Sequence, residues 1–137
     1  MPPPLLTPAQ LMQRQAGTLP AQFGLNITEV STGRVHGQMQ VQPWMLAPNG
    51  YLHAASVIAL ADSCAGYATI AHLPDGANSF TTIELKANML GTAREGLVRC
   101  EAVAEHLGRT TQVWSATVLN AEGKKVALFR CTQLVLR

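Results

Sequence analysis

Residues 52–71 limit the fold more than any other segment: twenty positions without proline, rich in alanine, and apolar on nearly every side of the helix they predict. A helix apolar all round must be buried on most of its faces. In a chain of 137 residues, something else has to wrap it. With 47% hydrophobic and 13% charged residues there is material for such a core and no sign of disorder. The length suits one domain over 1–137, with 1–20 as an N-terminal tail and short helix.

The wrapper is written in period-two patterns. In 34–41, Val35, Gly37, Met39 and Val41 alternate with Arg34, His36, Gln38 and Gln40, a half-buried strand. The turn Ser31-Thr32-Gly33 joins it to a preceding strand at 24–30. Downstream, Thr81, Ile83, Leu85, Ala87 and Met89 alternate with Thr82, Glu84, Lys86 and Asn88. Residues 97–105, 112–119 and 125–136 read as three more strands, joined by short glycine-bearing connections that suit antiparallel neighbours. Thr7-Pro8-Ala9-Gln10 reads as a capping box opening a helix to about residue 16, and 43–50 as a loop. Helix, two strands, long helix and four strands make an α+β layout: an antiparallel sheet curled around one central helix.

Several classes fall away. A net charge of +2, with Lys124 and Lys125 the only adjacent basic pair, gives no footprint for nucleic acid. Cys64, Cys100 and Cys131 are odd in number and form no C-x-x-C, so they read as reduced core residues of a cytoplasmic protein. Met1-Pro2-Pro3-Pro4 lacks the start of a signal peptide, and His53, Ser56, Asp62 and Ser63 make 52–71 a poor membrane span, so no membrane partner is expected. The signatures of serine hydrolases, zincins, dinucleotide binders and P-loop enzymes are missing. His36, His72 and His106 show no ligand spacing and read as surface or loop residues, so no metal site is expected. Cys64 reads as core, not nucleophile.

Chemistry concentrates in the long helix. Asp62 lies among apolar neighbours, and its helical face carries Ala55, Ile58, Ala59, Ala65 and Gly66, which leave space beside the carboxylate. A buried acid without a cationic neighbour is costly unless it has work or a partner, and structural ion pairs bury acids too. His53 sits at the helix start, where free N–H groups favour developing negative charge; its plain alternative is to satisfy loop backbone. Nine residues from Asp62, it is half a turn out of phase, so the two face apart within one chain.

The stretch Asn49-Gly50-Tyr51-Leu52-His53-Ala54-Ala55, running on to Leu60-Ala61-Asp62, resembles the PaaI-type thioesterases of the hotdog superfamily, named for phenylacetate degradation. Their pattern is His-Gly-Gly followed by a helix ending in Leu-Ala-Asp or Leu-Ala-Glu. Residues 80–90 and Gly108-Arg109-Thr110 add support. The resemblance implies a hotdog fold, homodimers that associate into homotetramers, and hydrolysis of an acyl-CoA to free acid and CoA. Coenzyme A is then part of the substrate, and no cofactor is implied. Asp62 would be general base or nucleophile, and the Ala55 N–H would hold the thioester oxygen. His53 would assist from the helix start opposite the partner's Asp62. Because arginine suits phosphate geometry, Arg109 and Arg94 are candidates to hold CoA phosphates at the rim, with a solvated turn arginine as the plain alternative, and Gly66 is a candidate for the substrate pocket.

Two departures stand out. Ala54-Ala55 replaces the Gly-Gly, and Ala47 replaces the amide usual six residues before the histidine. Asn49 is the one nearby amide, a candidate donor whose plain role is turn or helix capping. Ala47 also keeps open a non-catalytic acyl-CoA-binding hotdog protein as the alternative; a hydratase, which wants a histidine soon after the acid, fits less well.

Overall fold

Threonine 7 opens the chain's first helix in the manner its sequence demands. Its side chain accepts from the Gln10 N–H, the Gln10 side chain returns to the Thr7 N–H, and α1 runs Pro8–Arg14. The computed structural model describes residue 4 and residues 6–137; Met1, Pro2, Pro3 and Leu5 of the expected tail lie outside the described residues. A four-residue helix α2 (Leu19–Gln22), not foreseen from sequence, follows. The Leu25 N–H closes back onto Pro20, so β1 starts two residues later than expected, at Asn26–Ser31.

The remaining elements are β2 (Arg34–Gln40), a 3-10 turn (Pro43–Met45) inside the expected loop, α3 (Ala54–Ala71), β3 (Ser79–Met89), β4 (Leu97–Leu107), β5 (Thr111–Leu119) and β6 (Lys125–Leu136). The strands form one six-stranded antiparallel sheet in the order β1-β2-β4-β5-β6-β3. This is the hotdog architecture. Among the described residues α3 is the one helix long and apolar enough to cross a bilayer, yet it lies packed against all six strands. Val35, Met39, Val98, Ala102, Trp114 and Val126 line the sheet's inner face and are buried. Cys64, Cys100 and Cys131 are free and buried in the same core.

Gly37 marks a close approach of helix to sheet. A Cβ there would stand 2.5 Å from the Cys64 Sγ and 3.1 Å from the Ile27 Cδ1. Cys64, together with burial, pushes the neighbouring Cys100 thiol up.

Two expectations need correction. The alternation of 81–89 is broken: the pairing of β3 with β6 shifts register between Thr82 and Glu84, a β-bulge at Ile83. Phe80 and Thr82 therefore share the inner face with Leu85, Ala87 and Met89, opposite Val135, Gln133, Cys131, Phe129 and Ala127. One inserted residue swaps the faces, and period-two reading assumes none. His72 is no idle loop residue either. It caps α3, accepts the Gly33 N–H at Nε2 (2.9 Å) and contacts Ala68 O through Nδ1 (2.8 Å). Its carbonyl takes the Gln112 amide (2.9 Å), and its ring meets Trp114 edge-on. The helix end is thereby tied to the β1–β2 hairpin and to β5.

Candidate active site

The sheet leaves one stripe of α3 uncovered. Ala54 and Ala55 are exposed, and Ile58, Ala59, Asp62 and Ser63 are half-buried, while Val57, Leu60, Ala61, Cys64 and Ala65 are buried. These positions recur at helical spacing, so the stripe leads straight from the helix start to Asp62. The Oδ1 of Asp62 is buried and, among the described residues, without a hydrogen-bond partner. Burial raises the carboxyl above its ordinary value of 3.8. On β6, Cys131 is pushed up to about 12, by its own burial first and by the Asp62 carboxylate second. It stays a thiol at neutral pH and is no nucleophile there.

The helix start is built around His53. As N-cap it accepts the Ala55 N–H at Nδ1 (2.9 Å), and its carbonyl takes the N–H groups of Ser56 and Val57. The Ala55 N–H, the expected oxyanion donor, is thus engaged by His53 itself. Among the described residues nothing accepts from the Ala54 N–H. The helix begins at Ala54, not at residue 52. Leu52 is held outside it by a bridge to Leu46 and by an N–H bond to Thr92 Oγ1 (2.8 Å). Asn49 serves its turn, taking the Tyr51 N–H at Oδ1 (3.1 Å). A cavity of about 560 Å³ opens here, lined by Ala47, Asn49, Tyr51, His53, Val57 and Met89 among others.

His53 and Asp62 do not meet. Nine residues of helix separate them by about 13 Å along the axis and half a turn around it. Arg94 joins the His53 end, its guanidinium 5.0 Å from the centre of the Tyr51 ring. Arg109 lies at the opposite end of the sheet, in the β4–β5 turn, its carbonyl taking the Arg137 guanidinium (2.8 Å). Gly66 makes room for Phe80: a Cβ there would stand 3.2 Å from the ring. One chain therefore carries two separated half-sites, a helix start with a cavity and a carboxylate on an open stripe. Among the described residues no three His, Cys, Asp or Glu converge as a metal cluster would.

Some polar residues of the core were not singled out from sequence. Gln112 and Gln133 are fully buried on the inner face of β5 and β6. Their signal was available: polar amides at inward parity in otherwise apolar alternations. Thr82 escaped because the bulge hid its parity.

Known proteins resemble this chain in sequence and in fold. The family model described as Thioesterase superfamily matches residues 49–127. A 1,4-dihydroxy-2-naphthoyl-CoA hydrolase of Listeria monocytogenes is 31% identical over 80% of this chain and 89% of its own. The crystal structure of a mutant thioesterase from Pseudomonas aeruginosa superposes with a TM-score of 0.90 at 28% identity, covering 96% of this chain and 94% of that one. The Escherichia coli PaaI protein, from the phenylacetic acid degradation operon, shares the fold at a TM-score of 0.83 and 23% identity, covering 95% and 91%.

Proposed function

The chain belongs to the thioesterase superfamily and is a thioester hydrolase, and from that premise we propose that it is a PaaI-type enzyme cleaving an acyl-CoA to free acid and CoA between two copies of itself. The observation that carries this reading is Asp62: a carboxylate with one buried, partnerless oxygen, on the one stripe of α3 that its own sheet leaves open. Beside that stripe lies edge strand β3, with Ile83, Leu85 and Met89 exposed by 57%, 41% and 42%. Unpaired backbone and apolar side chains on one edge suit pairing with a second copy. A homodimer so formed, or a homotetramer of two such pairs, sets one copy's helix start against the other's Asp62. The three free, buried thiols suit a cytoplasmic setting.

In this reading the thioester carbonyl points at the α3 start, where the Ala54 N–H, joined by that of Ala55 once His53 turns to substrate, stabilises the oxyanion. Asp62 of the facing copy either takes a proton from water, whose oxygen adds to the carbonyl carbon, or adds directly to give an anhydride that water then opens. Either way the C–S bond breaks, CoA thiolate leaves, and one water is consumed. His53→Asn separates two roles of the histidine, because asparagine also caps helices. Turnover should fall at least tenfold with an unchanged melting midpoint. Wild-type turnover in that variant would leave His53 a cap alone.

The decisive assay is a panel of aromatic and aliphatic acyl-CoAs with thiol release as readout. Turnover of at least one is expected; affinity across the panel without turnover would favour the non-catalytic reading that Ala47 invites. Arg94→Ala and Arg109→Ala should each raise KM for CoA thioesters about five- to tenfold and leave short N-acetylcysteamine thioesters unaffected. Equal effects on both substrates would remove the phosphate role.

A further inference from the structure

Two buried side-chain atoms among the described residues lack a hydrogen-bond partner: Asp62 Oδ1 and Gln133 Nε2. One accepts when ionised and the other only donates. The strand register sets them at adjoining levels of the core. Cys131, whose thiol feels the Asp62 carboxylate, faces inward on β6, and Gln133 is the next inward residue, fully buried. One turn beyond Asp62 on the same face of α3 is Gly66, against which Phe80 packs. Phe80 pairs with Val135, Thr82 with Gln133 and Leu85 with Cys131. Gln133 therefore lies beneath α3 between the levels of Asp62 and Gly66.

The amide is also oriented. Its Oε1 takes the Thr82 hydroxyl at 2.6 Å, which leaves the NH₂ end as the free one. Its cross-strand neighbour Gln112 shows what a purely structural glutamine does here: its amide donates to His72 O and its carbonyl takes the Trp114 indole N–H (2.8 Å). A buried donor left idle is destabilising, and a leucine would fill the position without that cost.

We infer that Gln133 is a positioning residue for Asp62: its Nε2 reaches the buried oxygen of the carboxylate through one bridging water, fixing the plane of the group and leaving the other oxygen for the reaction. A donor and an acceptor facing one gap are the setting in which a buried water is held. The inference rests on the proposed role of Asp62 and adds what orients it. Other groups packed around Asp62 do not compete. Cys131 is the titratable group facing it from β6. On α3, Cys64 turns to Gly37 and Cys100. From β3, Glu84 and Lys86 lie on the outer face, opposite Thr132 and Arg130, and β5 presents Trp114 and Gln112.

The test is Gln133→Met, which keeps the length and removes the donor, beside Thr82→Val, which frees the amide to turn. Asp62 is followed by carbon-13 NMR of its carboxyl, readable whether or not a thioester substrate is in hand. A donor to the ionised form holds a carboxyl down, so Gln133→Met should move the Asp62 titration up by about half to one pH unit. Thr82→Val should move it less. The acid limb of kcat should follow the titration, kcat on the plateau should fall three- to tenfold with KM unchanged, and the melting midpoint should hold or rise. An unmoved titration would overturn the inference, as would a lowered midpoint with KM and kcat falling together, the mark of packing alone. Wild-type protein that titrates as expected but hydrolyses no thioester would instead count against the enzyme reading.

Discussion

Asp62→Asn is expected to lower kcat for the best acyl-CoA by about 10²- to 10⁴-fold and to leave the protein as stable as before, or more so. The two halves of that result come from one cause. Burial raises the Asp62 carboxyl above its ordinary 3.8, so the fold prefers the protonated group. The stability that preference confers is fully present below the unfolded-state value and is lost as pH rises through the raised folded-state value. Asparagine, neutral throughout, escapes the loss. The variant should therefore match wild type in melting at acid pH and equal or exceed it at neutral pH. By the same shift, the acid limb of wild-type kcat should fall above 3.8. Thermal melts from pH 3 to 8 beside steady-state rates check all of this. Wild-type turnover by the asparagine variant would end the assignment of Asp62.

Gly37→Ala should destabilise the chain by about 1–3 kcal/mol, measured as a lower denaturant midpoint at unchanged slope. The added methyl would meet the Cys64 Sγ at 2.5 Å and the Ile27 Cδ1 at 3.1 Å, inside contact distance of both. Neither neighbour has free room: Cys64 is 1% exposed and Ile27 3%. Cys64→Ala removes the nearer clash, so the double variant should be more stable than the sum of the single losses predicts, a favourable coupling that a double-mutant cycle reads directly. Strict additivity would show that Gly37 is kept for something other than the approach of α3.

How much of this was legible depends on whether a feature is local. The central helix was, because alanine content, absent proline and all-round apolarity act within one segment. Strands β2 and β5 were, because their alternation is unbroken over the core-facing positions, and so was β6 from Ala127 onward. The bulge at Ile83 was not: its signature is a register shift against β6, a property of two strands that one strand's pattern does not contain. Nor was the work of His72, whose partners Gly33 and Gln112 lie about forty residues away in either direction. At the site, Asp62 and His53 could be singled out from residue type and neighbours, and the helical period correctly separated them. That His53 would itself occupy the Ala55 N–H was hidden, since it depends on one backbone turn at Leu52 set by Thr92. The idle amide of Gln133 was hidden too, because an unmet hydrogen bond is visible only once everything around it is placed.

Strand β3 has a further consequence under the assembly proposed above. With its outer border unpaired and Ile83, Leu85, Met89 and Leu90 left exposed, a newly made copy is adhesive before it is useful. Its yield in an expressing cell then depends on a race between meeting its like and meeting any other extended segment. Slow synthesis at low temperature, which lets copies find each other at modest crowding, would recover more usable protein than a burst of the same total output.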